Sequence, residues 1–142
     1  MRTTTAACSL SAALAACSTT IYDLNDSNST EVAATVERPI EVAFRTTVQG
    51  LRSCARESTF RVQADYFPDN STATITLVAH PTASSQQAML LLTMRKIDDS
   101  HTGLASRYRG RPERGFPWLA DSAVKWAKGE RAECKLPGGS DA

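Results

Sequence analysis

The sequence predicts a two-layer α+β fold, an antiparallel sheet of about five strands with two helices packed on one face. Three observations predict it. Apolar residues alternate in steps of two in several short segments, they recur in steps of three and four in two longer ones, and turn-forming residues separate the segments. The resulting order is strand, helix, four strands, helix, and laying both helices on one face covers such a sheet most economically.

Val32, Ala34 and Val36 alternate with polar or small neighbours and form the first strand, which Arg38-Pro39 ends. Pro39 opens the first helix, because its fixed φ suits a first turn whose N–H has no partner anyway. Ile40, Phe44, Val48, Leu51 and Ala55 recur along one face of it. Glu41 sits near the positive end of this helix dipole, and Arg52 and Arg56 near the negative end. Gly50 is its weak point, since glycine costs about 1 kcal/mol relative to alanine inside a helix. Phe60, Val62, Ala64 and Tyr66 then alternate with Arg61, Gln63 and Asp65, and beyond Pro68-Asp69-Asn70 the residues Ala73, Ile75, Leu77 and Ala79 alternate with threonines. This is a hairpin pattern. Gln87 to Ile97 is a more continuously apolar strand, joined by a turn at Asp98-Asp99-Ser100 to a strand over Leu104 to Tyr108. A basic loop, Arg109 to Gly115, leads into a last helix over about Phe116 to Lys128, stopped by Gly129. Leu119, Ala123, Trp126 and Ala127 face the sheet from it.

With 142 residues, 42% hydrophobic and 22% charged, the chain suits one core rather than two. Its net charge of +1 names no partner and gives no ground for a nucleic-acid binder. The charge is unevenly spread: residues 95–142 carry 10 basic and 7 acidic side chains, whereas residues 17–94 carry 5 and 8. Before the folded region, a small apolar run from Ala6 to Ala16 follows one positive charge at Arg2, the order of an export leader. It falls short of the roughly 20 residues of a membrane span, and no later segment comes closer. The segment Ser18 to Thr30 is polar, without a period of either kind, and reads as a tether.

The leader ends in Leu14-Ala15-Ala16-Cys17, followed by Ser18. This tetrapeptide resembles the lipobox of bacterial lipoproteins, and the shape of the chain behind it is similar to small proteobacterial envelope lipoproteins. The resemblance implies cleavage between Ala16 and Cys17, diacylglycerol on the Cys17 thiol and an acyl chain on the new amine, with no other cofactor. Small residues admit a peptidase, and a thiolate is the nucleophile that a thioether needs. Two or three acyl chains anchor far more firmly than one, at about 0.8 kcal/mol for each buried methylene. Ser18, where an aspartate favours inner-membrane retention, implies the periplasmic side of the outer membrane. The competing reading is an alanine-rich N-terminal helix of a cytosolic protein with Cys17 buried. The expected organisation is a leader over residues 1–16, a lipidated flexible tether over 17–30, one α+β domain over 31–136 and a disordered tail over 137–142.

Export places Cys54 and Cys134, each at or just after a predicted helix end, in an oxidising compartment. A disulfide between them is expected, against two buried free thiols. Arg107, Arg109, Arg111 and Arg114, interleaved with Tyr108, form the candidate contact for an anionic ligand or partner, since guanidinium forks match phosphate and carboxylate. A solvated loop partly neutralised by Glu113 is the plainer reading. His80, before Pro81 in an expected loop, and His101, after Asp98-Asp99, lack further ligands at a metal-binding spacing. No connected acid, base and nucleophile accompanies them, so no catalytic or metal residue is assigned. Trp118 and Trp126 suit packing better than a carbohydrate platform. The expectation is thus a non-enzymatic accessory or adaptor that meets the membrane through its lipid and docks on another envelope protein. The alternatives are a module binding lipopolysaccharide or anionic lipid through the arginine cluster, and a cell-envelope hydrolase. The sequence sets no oligomeric state.

Overall fold

The computed structural model describes residues 21–22, 24, 28–82, 85–110 and 116–136. The leader, Cys17, Arg111, Arg114 and the tail over 137–142 lie outside the described residues. The elements run β1 (Ile21–Tyr22), β2 (Ser29–Val36), α1 (Ile40–Ala55), β3 (Arg61–Phe67), β4 (Thr72–Thr82), β5 (Ser85–Lys96), β6 (Thr102–Arg109) and α2 (Pro117–Ala127). Five strands form an antiparallel sheet in the order β2-β6-β5-β4-β3, and β1 pairs parallel with the start of β5. This is the α+β arrangement that the periodicities predict, with both helices on one face. α1 packs on β3, β4 and β5, α2 packs on β2 and β6, and the helices touch each other.

Alternation explains which side chains meet the helices. Ala73, Ile75 and Leu77 of β4, Leu90, Leu92 and Met94 of β5, and Leu104 and Tyr108 of β6 are buried with Ile40, Ala43 and Leu51 of α1 and Leu119, Ala123 and Trp126 of α2. Each large aliphatic side chain so buried is worth about 1.5–3 kcal/mol relative to exposure. Met89 interrupts the β4–β5 ladder: Leu77 pairs with Leu90 but Val78 with Ala88, a bulge that places Met89 and Leu90 both in the core.

Gly50, the weak point of the first helix, has a packing reason. A Cβ there would lie 2.4 Å from Cγ of Trp126, so the absence of a side chain is what lets the indole of α2 rest against α1. Gly129 ends α2 as expected: with φ of 78° its N–H donates to the Trp126 carbonyl at 2.8 Å, and the next N–H, of Glu130, donates to the Lys125 carbonyl at 2.9 Å.

Two placements differ from expectation. His80 and Pro81 belong to the end of β4 rather than to a loop; the ladder to β5 passes from Ala79 to Thr82 through an irregularity, and the proline's missing N–H falls there. Ile21 and Tyr22, within the span read as tether, pair with Gln86 and Gln87 of β5.

Candidate functional site

A disulfide joins Cys54 to Cys134, whose Cα atoms are 5.5 Å apart. Cys54 lies in the last turn of α1, fully buried. Beyond α2 the described residues form no helix or strand, yet Ala132 and Leu136 are buried and the Ser122 hydroxyl donates to the Glu133 carbonyl at 2.9 Å. These contacts bring Cys134 back along the helices to the end of α1.

The structure engages two members of the predicted arginine cluster within the sheet. Arg107 faces Glu31 across the β2–β6 pair, and its Nη2 donates to the carboxylate at 2.7 Å. Arg109 donates from Nε to the Ala88 carbonyl at 2.8 Å, and burial lowers its guanidinium pKa from the ordinary value. Both arginines therefore tie strands together. Arg111 and Arg114 lie outside the described residues.

A different basic surface emerges on α1. Arg45, Gln49, Arg52 and Arg56 follow one another in steps of four, three and four, so they form one exposed ridge along the helix. The ridge is about 16 Å long at the helical rise of 1.5 Å per residue. Among the described residues, none of its three arginines forms an ion pair. A shallow depression of about 640 Å³ lies along it, floored by Phe44 and Val48 between Arg45, Arg52 and Arg56. Arg61, at the start of β3, continues the line past Phe60, and its Nη1 donates to the Ser58 and Phe60 carbonyls at 3.3 and 3.0 Å. The helix dipole accounts for Arg52 and Arg56, but not for Arg45 or Arg61. Spacing alone carried this signal, and reading Arg52 and Arg56 only as dipole partners hid it.

The opposite end of the sheet carries charges of both signs, with Arg38, Arg95, Lys96 and Lys128 beside four carboxylates. Asp69 lies in the β3–β4 turn, Asp98 and Asp99 in the β5–β6 turn, and Glu41 in the first turn of α1. Backbone hydrogen bonding at Glu41 itself, and then the Tyr66 hydroxyl that donates to it at 2.8 Å, hold this carboxyl below its usual range. Asp98 accepts from the Ser100 N–H at 2.8 Å and contacts Nδ1 of His101 at 2.9 Å, and these bonds lower its pKa to about 2. Ser100 Oγ meets the same His101 nitrogen at 3.0 Å. A relay needs one ring nitrogen for the acid and the other for the nucleophile, so this exposed trio caps a turn. Trp126 is buried in the core and Trp118 partly so.

No family model and no curated protein matches the chain. Among solved structures it is similar to protein CV1439 from Chromobacterium violaceum, at 10% identity and a TM-score of 0.34 over 72% of this chain and 96% of that one. It is similar to the Zhui aromatase/cyclase from Streptomyces sp. R1128 at 9% identity and a TM-score of 0.34, over 71% and 91% of the two chains. A di-domain aromatase/cyclase, BexL of the BE-7585A biosynthetic pathway, aligns at 7% identity and a TM-score of 0.28 over 80% of this chain and 52% of its own. Likeness at this level carries no argument about chemistry. One expectation is withdrawn all the same: structures of this kind include two aromatase/cyclases, so the fold gives no ground for reading the chain as a non-enzyme. That reading rested on the want of a connected acid, base and nucleophile, and such a set is only one route to catalysis. Holding a substrate in reactive geometry is another.

Proposed function

We propose that the chain is a lipid-anchored domain on the periplasmic side of a bacterial outer membrane, tethered through Cys17, where it docks on another envelope protein as an accessory or adaptor component. The observation that carries this reading is the Cys54–Cys134 disulfide, 80 residues apart in sequence. Such bonds persist in oxidising compartments and are rare in the cytosol, which favours export over a buried-cysteine reading of the N-terminal segment. The tetrapeptide Leu14-Ala15-Ala16-Cys17 supplies the anchor.

The sheet face turned away from the helices suits docking on a protein. Ala33, Thr35, Thr93, Gly103 and Ala105 line a shallow depression of about 410 Å³ on it, beside the exposed Ile97. Small side chains let a partner backbone approach closely there, and Arg95 at its edge offers a charged contact.

Labelling cells with radioactive palmitate tests the anchor. The wild-type chain incorporates label and fractionates with the membrane, whereas Cys17→Ser does neither. Equal membrane association and processing of the serine variant would overturn the proposal.

A further inference from the structure

We infer that the arginine ridge of α1, with Arg61, lies against anionic lipid headgroups of the membrane that carries the anchor, so that the domain is oriented there rather than merely tethered. The inference rests on the lipid-anchor reading and adds the face that meets the membrane.

Strand register places the ridge and the exit of the chain at one end of the sheet. Arg61 pairs with Val78, and Val78 with Ala88; in the neighbouring row Ala79 pairs with Gln87, and Gln87 with Tyr22. Three strand spacings separate β3 from β1, about 14 Å at 4.8 Å each. Because β1 runs parallel to β5 and pairs with its first residues, the chain before Ile21 departs from this same end. Only residues 18–20 intervene between Ile21 and Cys17, and four peptide steps reach at most about 14 Å. An acylated Cys17 therefore holds this end of the domain close to the headgroups, where a freely extended span of thirteen residues would allow roughly 45 Å.

Charge agrees with that orientation. Arg52, Arg56 and Arg61 gather at the near end, where α1 finishes and β3 begins, and Arg45 extends them along the helix. Glu57, in the connection between Arg56 and Arg61, offsets one of these four positive charges. At the far end Glu41, Asp69, Asp98 and Asp99 stand among Arg38, Arg95, Lys96 and Lys128, and Lys96 pairs with Asp99 at 2.6 Å, so that end carries charges of both signs. An anionic surface attracts the near-end arginines more strongly than this mixed end, which turns the near end towards the lipid. Phe44, Val48 and Phe60, partly buried between the arginines, supply apolar contact at headgroup depth.

The test is co-sedimentation of the full chain carrying Cys17→Ser with phosphatidylcholine vesicles, with and without an equal part of phosphatidylglycerol. The readout is the ratio of binding to the two vesicles, since the N-terminal segment is common to all variants. The protein is expected to prefer anionic vesicles and to lose that preference as salt rises. Replacing Arg45, Arg52, Arg56 and Arg61 together by serine is expected to weaken anionic binding by at least about a hundredfold, from roughly fivefold for each basic residue. Replacing all four by lysine retains it, which separates charge from damage to the fold. Equal preference in the serine and wild-type proteins overturns the inference, as does displacement by inorganic phosphate at concentrations too low to screen charge, which marks a phosphate site instead. Absence of palmitate from wild-type Cys17 would sink the anchor reading by itself, a result that vesicle binding does not report.

Discussion

Replacing both Cys54 and Cys134 by alanine removes the bridge between the end of α1 and the segment after α2. Alanine is the right replacement because Cys54 is fully buried, and a serine hydroxyl there adds a desolvation penalty unrelated to the bridge. The two positions stand 80 residues apart, and for a loop of that size the chain-entropy model gives about 4.5 kcal/mol at 25 °C. Domains of this kind are stable by about 5–15 kcal/mol in all, so the loss consumes a large share. With a urea m-value of about 1–3 kcal/mol/M, the unfolding midpoint of the double-alanine protein is expected to fall by roughly 1.5–4.5 M. Each single alanine variant is expected to fall nearly as far as the double one, because either change breaks the same bond. Urea unfolding followed by tryptophan fluorescence, on oxidised wild type and the three variants, measures all of this. A midpoint unchanged in the double variant, or single variants whose losses add, would refute the reasoning.

Gly50→Ala sets a gain in helix propensity of about 1 kcal/mol against overpacking of about 1–3 kcal/mol, because the new methyl would meet Trp126. A net loss near 1 kcal/mol is expected in urea, reversing to a gain when Trp126 is also alanine; stabilisation in the wild-type background would contradict this packing. Asp98 is expected to titrate at about 2 by NMR, held down first by the Ser100 N–H and then by His101. Since its folded pKa is lowered, its contribution is complete above the usual aspartate range and disappears as pH falls towards 2. His101→Ala raises the value only part of the way, and an ordinary aspartate pKa in the wild type would contradict the turn geometry.

Elements whose burial repeats locally were legible. Ala73, Ile75 and Leu77 announce a half-buried strand because a core on one face demands the two-residue step, and Ile40, Val48 and Leu51 announce α1 in the same way. Partnerships across the chain were not. Arg107 looks like a member of a basic loop until register sets it opposite Glu31, and Gly50 looks like a flaw until Trp126 covers it. Ile21 and Tyr22 are too few to show a period, so their pairing with β5 leaves no mark in the sequence. The α1 ridge sits between these cases: its spacing was visible, but deciding that its arginines face solvent required knowing which side of the helix the sheet covers.

Intact-mass spectrometry of the chain purified from cell envelopes tests the lipid hook most directly. A polypeptide starting at residue 17, heavier than its composition by diacylglycerol and one acyl chain and lighter by two hydrogens for the bridge between Cys54 and Cys134, is the predicted result. A mass that retains Met1 to Ala16, or one that leaves the Cys17 thiol bare, would contradict it.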